Sequence, residues 1–368
     1  MSGDSIVLYG CGDVGPIHEP MSAYSELVRP TLAAADLRFA QCERVYSERG
    51  ALQLHSHGSH SRVKPQMASV FTDCGFDVVS VASNHAMDWG ADAMLDTIGV
   101  LRDKGIQTIG AGRNLEDARQ PAIIERNKVR VAFLAYCSVL NEGYAAAPST
   151  PGVAPLRART HYEPVDYQAG VPPRVVSVPY EEDLQAMVDD ITAAKKSAHI
   201  VVLSLHWGVH FVPRVIADYQ RIAADAAVNA GADLILGHHA HVPKAIGVYS
   251  GTVCFYSLSN FIMSANARSP QQIAAFTRDY GTVMDPEYPK LPYGTDAKRS
   301  LLAKAVLAAD GVRHVSFVPV LIDKQLRPEI LREPDPRFTD AVRYMEWASE
   351  GFPHRFEIAG DEVAVTAA

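Results

Sequence analysis

Short, almost wholly apolar runs bounded by polar loops constrain this chain most. Phe76-Asp77-Val78-Val79-Ser80-Val81-Ala82 and His199-Ile200-Val201-Val202-Leu203-Ser204-Leu205 are too short for buried helices, and they lack the alternation of strands with one wet face. They predict strands covered on both sides, so helices must pack outside the sheet. Residues 20–35, 65–74, 91–104, 181–196 and 218–230 carry helical spacing and can form those layers. The repeated order of strand, polar loop and helix predicts an α/β fold.

Other segments fit the same scheme. Ser5–Tyr9 reads as a strand stopped by the glycine-rich turn 10–16, and residues 35–43 as a strand ending in an acid. Ala232–Ile235 leads into Leu236-Gly237-His238-His239-Ala240-His241. Hairpins are predicted at 122–125/129–135 and 303–308/312–320, with further strands at 245–248 and 252–258. Three segments lack sustained periodicity, at about 44–64, 140–178 and 264–299, and are expected to be loop insertions in one catalytic domain spanning 1–330. The first holds His55, His57 and His60 and reads as an active-site lid, while the other two are suited to shaping substrate choice. Residues 331–368 are expected to form a helical, then irregular, extension.

A formal net charge of −8 leaves no electrostatic footprint for nucleic acid or an anionic membrane, which favours a small-molecule or peptide substrate. No apolar run approaches membrane-spanning length and no cleavable leader precedes Ser5, so a cytoplasmic protein is expected. A homo-oligomer is compatible with this composition. The five cysteines are scattered without a CxxC spacing and are predicted to be buried thiols; Cys42, inside a polar motif, is the one to watch.

Polar side chains collect where strands end: Asp13, Glu43, Asn84, His206, and the pair His239/His241. In an open α/β sheet the carboxyl ends of strands converge, so residues far apart in sequence can share a site. Two carboxylates, one amide and three imidazoles suit one or two divalent ions such as Mn²⁺, Zn²⁺ or Fe²⁺, and are too rich in nitrogen for Ca²⁺.

The succession Gly12-Asp13, Gln41-Cys42-Glu43, Ser83-Asn84-His85-Ala86-Met87-Asp88-Trp89-Gly90, His206-Trp207-Gly208 and Gly237-His238-His239-Ala240-His241-Val242 resembles the CapA family of poly-γ-glutamate capsule proteins, within the calcineurin-like metallophosphoesterase superfamily. Tyr256-Ser257-Leu258-Ser259-Asn260-Phe261 resembles its final motif. The resemblance implies a four-layer α-β-β-α sandwich. It implies Asp13 and His241 at a first metal, Glu43 bridging, and Asn84, His206 and His239 at a second. His85 would be the general acid or oxyanion stabiliser, with Asp13 part of the catalytic centre, and His238 a bystander. Arg62, Lys64, His210 and Asn260 are the candidate substrate contacts. Three positions depart from the pattern: Gly15 stands where the superfamily has a metal-binding histidine, Gln41-Cys42 where Asn-Leu is common, and His210 where an acid is common.

This set points to a metal-dependent hydrolase that cleaves an amide, lactam or ester in a carboxylate-bearing small molecule or γ-glutamyl-type peptide. A phosphoesterase, a metal-dependent peptide epimerase and a non-catalytic component of polyglutamate assembly are the alternatives.

Overall fold

A computed structural model describes residues 5–54, 62–166 and 170–368. The first sheet starts with four strands in chain order, β1 (Ser5–Gly15), β2 (Leu37–Cys42), β3 (Val78–Ser80) and β4 (Gln107–Ile109), each parallel to the one before. Parallel neighbours need crossovers, and the helical segments Met21–Ser25, Arg29–Leu32, Ser69–Asp73 and Gly90–Asp103 lie in them. The single helix expected over 20–35 is two short ones, because Pro30 is tolerated in the first turn of a helix and breaks its interior.

The two-residue strand β5 (Ala111–Gly112) precedes the second sheet, which opens with the hairpin β6 (Ala122–Arg126) and β7 (Val129–Cys137). Within the 140–178 segment, β8 (Gly152–Val153) pairs with β5, and β9 (Ala158–Glu163) pairs with β10 (Arg174–Pro179). Helices Glu181–Lys195 and Asp218–Ala230 precede β11 (Ile200–His206) and β12 (Leu234–His238), which run parallel with β7. β13 (Ile246–Tyr249) and β14 (Thr252–Phe255) complete six strands.

The chain then returns to the first sheet. β15 (Asn260–Met263) runs parallel beside the end of β1, whose long edge receives the hairpin β16 (Arg299–Ala308) and β17 (Gly311–Ile322). β18 (Pro328–Ile330) pairs with β17, as does β20 (Glu362–Thr366), which carries β19 (Arg355–Ala359) at the rim.

Two expectations are corrected here. The segment 264–299 contains the helix Pro270–Tyr280, whose Ser269 side chain accepts from Gln272 while Gln272 reaches back, with Pro270 in the first turn and left-handed Gly281 at the end. The end of the chain is not irregular, since Phe356, Ile358, Val363 and Val365 alternate across the β19/β20 hairpin.

The two sheets face each other. Phe39 of β2 stacks on Phe133 of β7 with ring centroids 6.0 Å apart, among Leu8, Val131, Val202, Leu234 and Leu236. The opposite face of the second sheet packs Val201, Leu203, Leu205 and Ile235 against Met187, Ile191, Ala223 and Ala227 of two helices. Helix Gly90–Asp103 lies against β4 on the other side, completing the four-layer α-β-β-α sandwich. Among the described residues no helix is long and apolar enough to cross a membrane. Phe133→Ala removes a ring from the inter-sheet contact and should cost about 3–5 kcal/mol in denaturant unfolding; a loss below about 1 kcal/mol would contradict this packing.

Candidate metal centre

The sandwich brings strand ends from both sheets to one edge. Asp13 lies in β1 beside Gln41 of β2 and Asn260 of β15; Glu43 directly follows β2; His206 ends β11 opposite His238 of β12. The backbone must approach closely there. A Cβ on Gly12 would lie 2.0 Å from the Ser259 carbonyl oxygen, and one on Gly237 would lie 2.3 Å from that of Tyr256. His239, His241 and Ser259 have φ of 89°, 56° and 69°, the left-handed region that side chains avoid. Each such residue costs of order 1–3 kcal/mol and persists where surrounding structure enforces it. Here it aims two imidazoles inward.

Four donors converge on one point. His206 Nε2 lies 2.7 Å from Asn84 Oδ1, 3.2 Å from His239 Nδ1 and 3.6 Å from Glu43 Oε1, and His239 Nδ1 is 3.3 Å from Asn84 Oδ1. Bonds of about 2.0–2.1 Å to a tetrahedral ion give donor separations of about 3.4 Å, so the spacing fits a small divalent cation. Asp13, Glu43 and His206 each offer an atom within 4.8 Å of the others. Glu43 Oε2 accepts from the Ser83 hydroxyl at 3.0 Å, while among the described residues buried Oε1 has no hydrogen-bond partner, nor does Asp13 Oδ1. Orphaned carboxylate oxygens inside a protein call for a cation.

The electrostatics agree. Burial pushes the Glu43 carboxyl well up, reinforced by Asp13. Burial likewise depresses His206 and His239, with neighbouring imidazoles adding to it, so both rings are neutral and able to ligate.

The first metal position has Asp13, Glu43 and His241 available. His241 Nδ1 lies 3.6 Å from Asp13 Oδ2 and donates to Asn260 Oδ1 at 2.6 Å, leaving the lone pair on Nε2. Asn260, expected to face substrate, is instead fully buried; its amide donates to the carbonyls of His241 and Ala297, so it orients the imidazole. Nor does His238 stand apart as expected. It is buried against Phe39 with Nδ1 3.5 Å from Asp13 Oδ1, and neither ring nitrogen has another partner.

His85 stands on the more open side of this centre. Its Nδ1 donates to Asp88 Oδ2 at 2.8 Å, its Nε2 accepts from Asn84 Nδ2 at 3.0 Å, and Nε2 lies 3.8 Å from Glu43 Oε1. The same Asn84 amide thus turns its oxygen to the candidate metal and its nitrogen to His85. Buried Asp88 also accepts from the Tyr144 hydroxyl at 3.3 Å, so the 140–178 segment reaches the centre through His85's partner. Burial, then the charges of Arg44 and His241, hold His85 well below the usual imidazole range against the opposing pull of Asp13. The spacing of His85 and Asp88, three residues apart after a strand, was the available signal for this pair.

An aromatic wall flanks the first position. His210 lies 3.7 Å from His239 and 5.7 Å from His241 between ring centroids, and Tyr293 stacks on His241 at 4.3 Å. Phe211, itself left-handed, is clasped by Phe276 and Tyr280 of the inserted helix. Arg62 does not present a free guanidinium: it lies over Trp89 at 4.1 Å and donates to the Arg49 carbonyl. Lys64 is exposed beside it in sequence. His55, His57 and His60 lie outside the described residues. Gln41 is buried, its amide donating to Ala82 and Cys42 carbonyls. All five cysteines are free and buried, and burial raises the Cys42 thiol to about 12, which removes it from chemistry near neutrality.

Divalent-metal titration should resolve a tighter step at Asn84, His206, His239 and Glu43 than at Asp13, His241 and Glu43. His239→Ala should weaken the tighter step by more than about 100-fold, because outer supports alone are worth about 10–100-fold; an unchanged isotherm would remove His239 from the ligand set.

Several known proteins are similar to this chain. PGA biosynthesis protein CapA of Bacillus subtilis (strain 168) is 33% identical over 238 residues, 64% of this chain and 56% of that protein. Capsule biosynthesis protein CapA of Bacillus anthracis is 28% identical over 228 residues, 61% of this chain and 50% of that one. The chain thus spans about half the length of these relatives. The solved calcineurin-like phosphoesterase YfkN from Bacillus subtilis overlays 94% of this chain and 98% of its own at 12% identity, with a TM-score of 0.41. The family model for bacterial capsule synthesis protein PGA_cap matches residues 1–265, and the chain belongs to that family.

Proposed function

We propose that this chain is a metal-dependent hydrolase acting on an amide, lactam or ester bond in a carboxylate-bearing small molecule or γ-glutamyl-type peptide. The observation that carries the proposal is the shared Asn84 amide, which ties a four-donor cluster to a histidine oriented by Asp88. One or two divalent cations at the cluster would lower the pKa of water toward neutrality and polarise the attacked group.

The chain's own residues supply the rest. Glu43 Oε1, unpartnered and 3.8 Å from His85 Nε2, lies where a water can be held between carboxylate and imidazole. His85 Nε2 is the ring's acceptor, engaged by the Asn84 amide at 3.0 Å, and takes that water's proton when the water donates in the amide's place. Because burial disfavours the charged ring, His85 then gives the proton readily to the leaving nitrogen or oxygen. Asp88 fixes the ring's tautomer and direction through both steps. The relatives' names associate them with PGA and capsule biosynthesis. A γ-linked polyglutamate offers amide bonds flanked by free carboxylates, and that chemistry supplies the proposed substrate class.

His85→Ala should leave metal content and melting temperature nearly unchanged while lowering turnover by about 10²- to 10⁴-fold, measured across γ-glutamyl amides, lactams, esters and phosphomonoesters. Turnover confined to phosphomonoesters would move the assignment to a phosphoesterase. A metal-loaded wild type that cleaves none of them and exchanges no Cα proton with deuterated solvent would leave a non-catalytic role.

A further inference from the structure

The residue after Glu43 is a buried arginine that the centre described above does not use. Arg44 is 6% exposed, and its guanidinium donates from Nε to the Gly15 carbonyl at 3.1 Å and from Nη2 to the Ser264 carbonyl at 3.0 Å. No carboxylate pairs with it among the described residues: the basic neighbours of Glu43 are the imidazoles of His85 and His206, and those of Asp13 are His238 and His241. Its stem occupies the space a residue-15 side chain would need, since a Cβ on Gly15 would lie 2.7 Å from Arg44 Cγ.

A buried guanidinium without a counter-charge is expensive, and two neutral carbonyls satisfy only part of its five-donor fork. Its position is the informative part. Arg44 directly follows Glu43, and its side chain lies against the end of β1 two residues beyond Asp13, in the space that Gly15 leaves open. Its outer partner is the carbonyl of Ser264, the first residue after β15. Arg44 therefore bridges the end of β1 and the start of the 264–299 insertion.

We propose that Arg44 is a specificity-determining residue that receives an oxyanion of the substrate, a carboxylate or phosphoryl oxygen, held against the metal centre. This rests on the metal-dependent reading above, and it names the group that recognises the anionic part of the substrate in place of Arg62. The planar fork suits two oxygens at once, and a bound anion would pair with it directly, as no carboxylate does among the described residues.

The test uses the full-length, metal-loaded protein with glutarate and inorganic phosphate as separate probes in calorimetry. Arg44→Gln should weaken the better probe by more than about tenfold at unchanged metal stoichiometry, and Arg44→Lys should retain part of the affinity, because charge survives without the fork. The better of the two probes identifies the oxyanion as carboxylate or phosphoryl. Equal affinity of wild type and Arg44→Gln overturns the proposal. Should the variants fail to fold, wild-type crystals soaked with the better probe decide it: an oxygen of the anion within hydrogen-bond distance of the Arg44 guanidinium supports it, and an anion out of its reach, or none bound, overturns it. Arg44-dependent anion binding without any hydrolysis would remove the hydrolase reading and keep this one; hydrolysis with anion affinity and KM indifferent to residue 44 would do the reverse.

Discussion

Two carboxylates, Asp13 and Glu43, are buried at one edge of the sandwich, each with an oxygen that no protein hydrogen bond satisfies. His206 and His239 beside them are kept neutral by the same burial, so they offer lone pairs in place of positive charge. Such a cluster is unfavourable by itself and becomes favourable around a divalent cation. The rest of the local structure holds this cluster in place: Gly12 and Gly237 let main chains meet, left-handed His239 and His241 turn inward, and Ser83 and Asn260 fix one ligand each.

The second consequence is a division of labour between sheet and insertions. The sheets and the loops at their strand ends supply the candidate donors and His85, and the insertions pack over them. Tyr144, from the 140–178 segment, reaches Asp88 behind His85, and Tyr293, from the 264–299 segment, covers His241. Both insertions therefore touch the centre through residues adjoining a ligand or its neighbour. A change of substrate within this architecture can come from the insertions without disturbing the strand ends.

Much of this was legible in the sequence because strand ends converge in an α/β sheet. Buried runs located β3 and β11, and Asn84, in the loop after β3, meets His206 at the end of β11 at 2.7 Å. What escaped depends on which way a side chain points. Asn260 was read as substrate-facing, and only the pairing of β15 beside β1 shows that it is enclosed with its amide turned to His241. The resemblance implies that His238 is a bystander, yet its place in β12 turns it toward Phe39 between the sheets, where it meets Asp13. The helix in the second long insertion carried its own signals, Ser269-Pro270 with Gln272 and a closing Gly281, obscured by the surrounding proline and tyrosine. Arg44 carried none, since a buried arginine reads like a surface one until its neighbours are known.

Strand-end donors from both sheets are expected to hold a divalent cation. X-ray diffraction from manganese- or zinc-loaded crystals, collected on both sides of the metal's absorption edge, tests it most directly. The account predicts an anomalous peak about 2.0–2.2 Å from Asn84 Oδ1, His206 Nε2, His239 Nδ1 and Glu43 Oε1, with any second peak on the Asp13 side of Glu43. A peak elsewhere, or none at saturating metal, would contradict it.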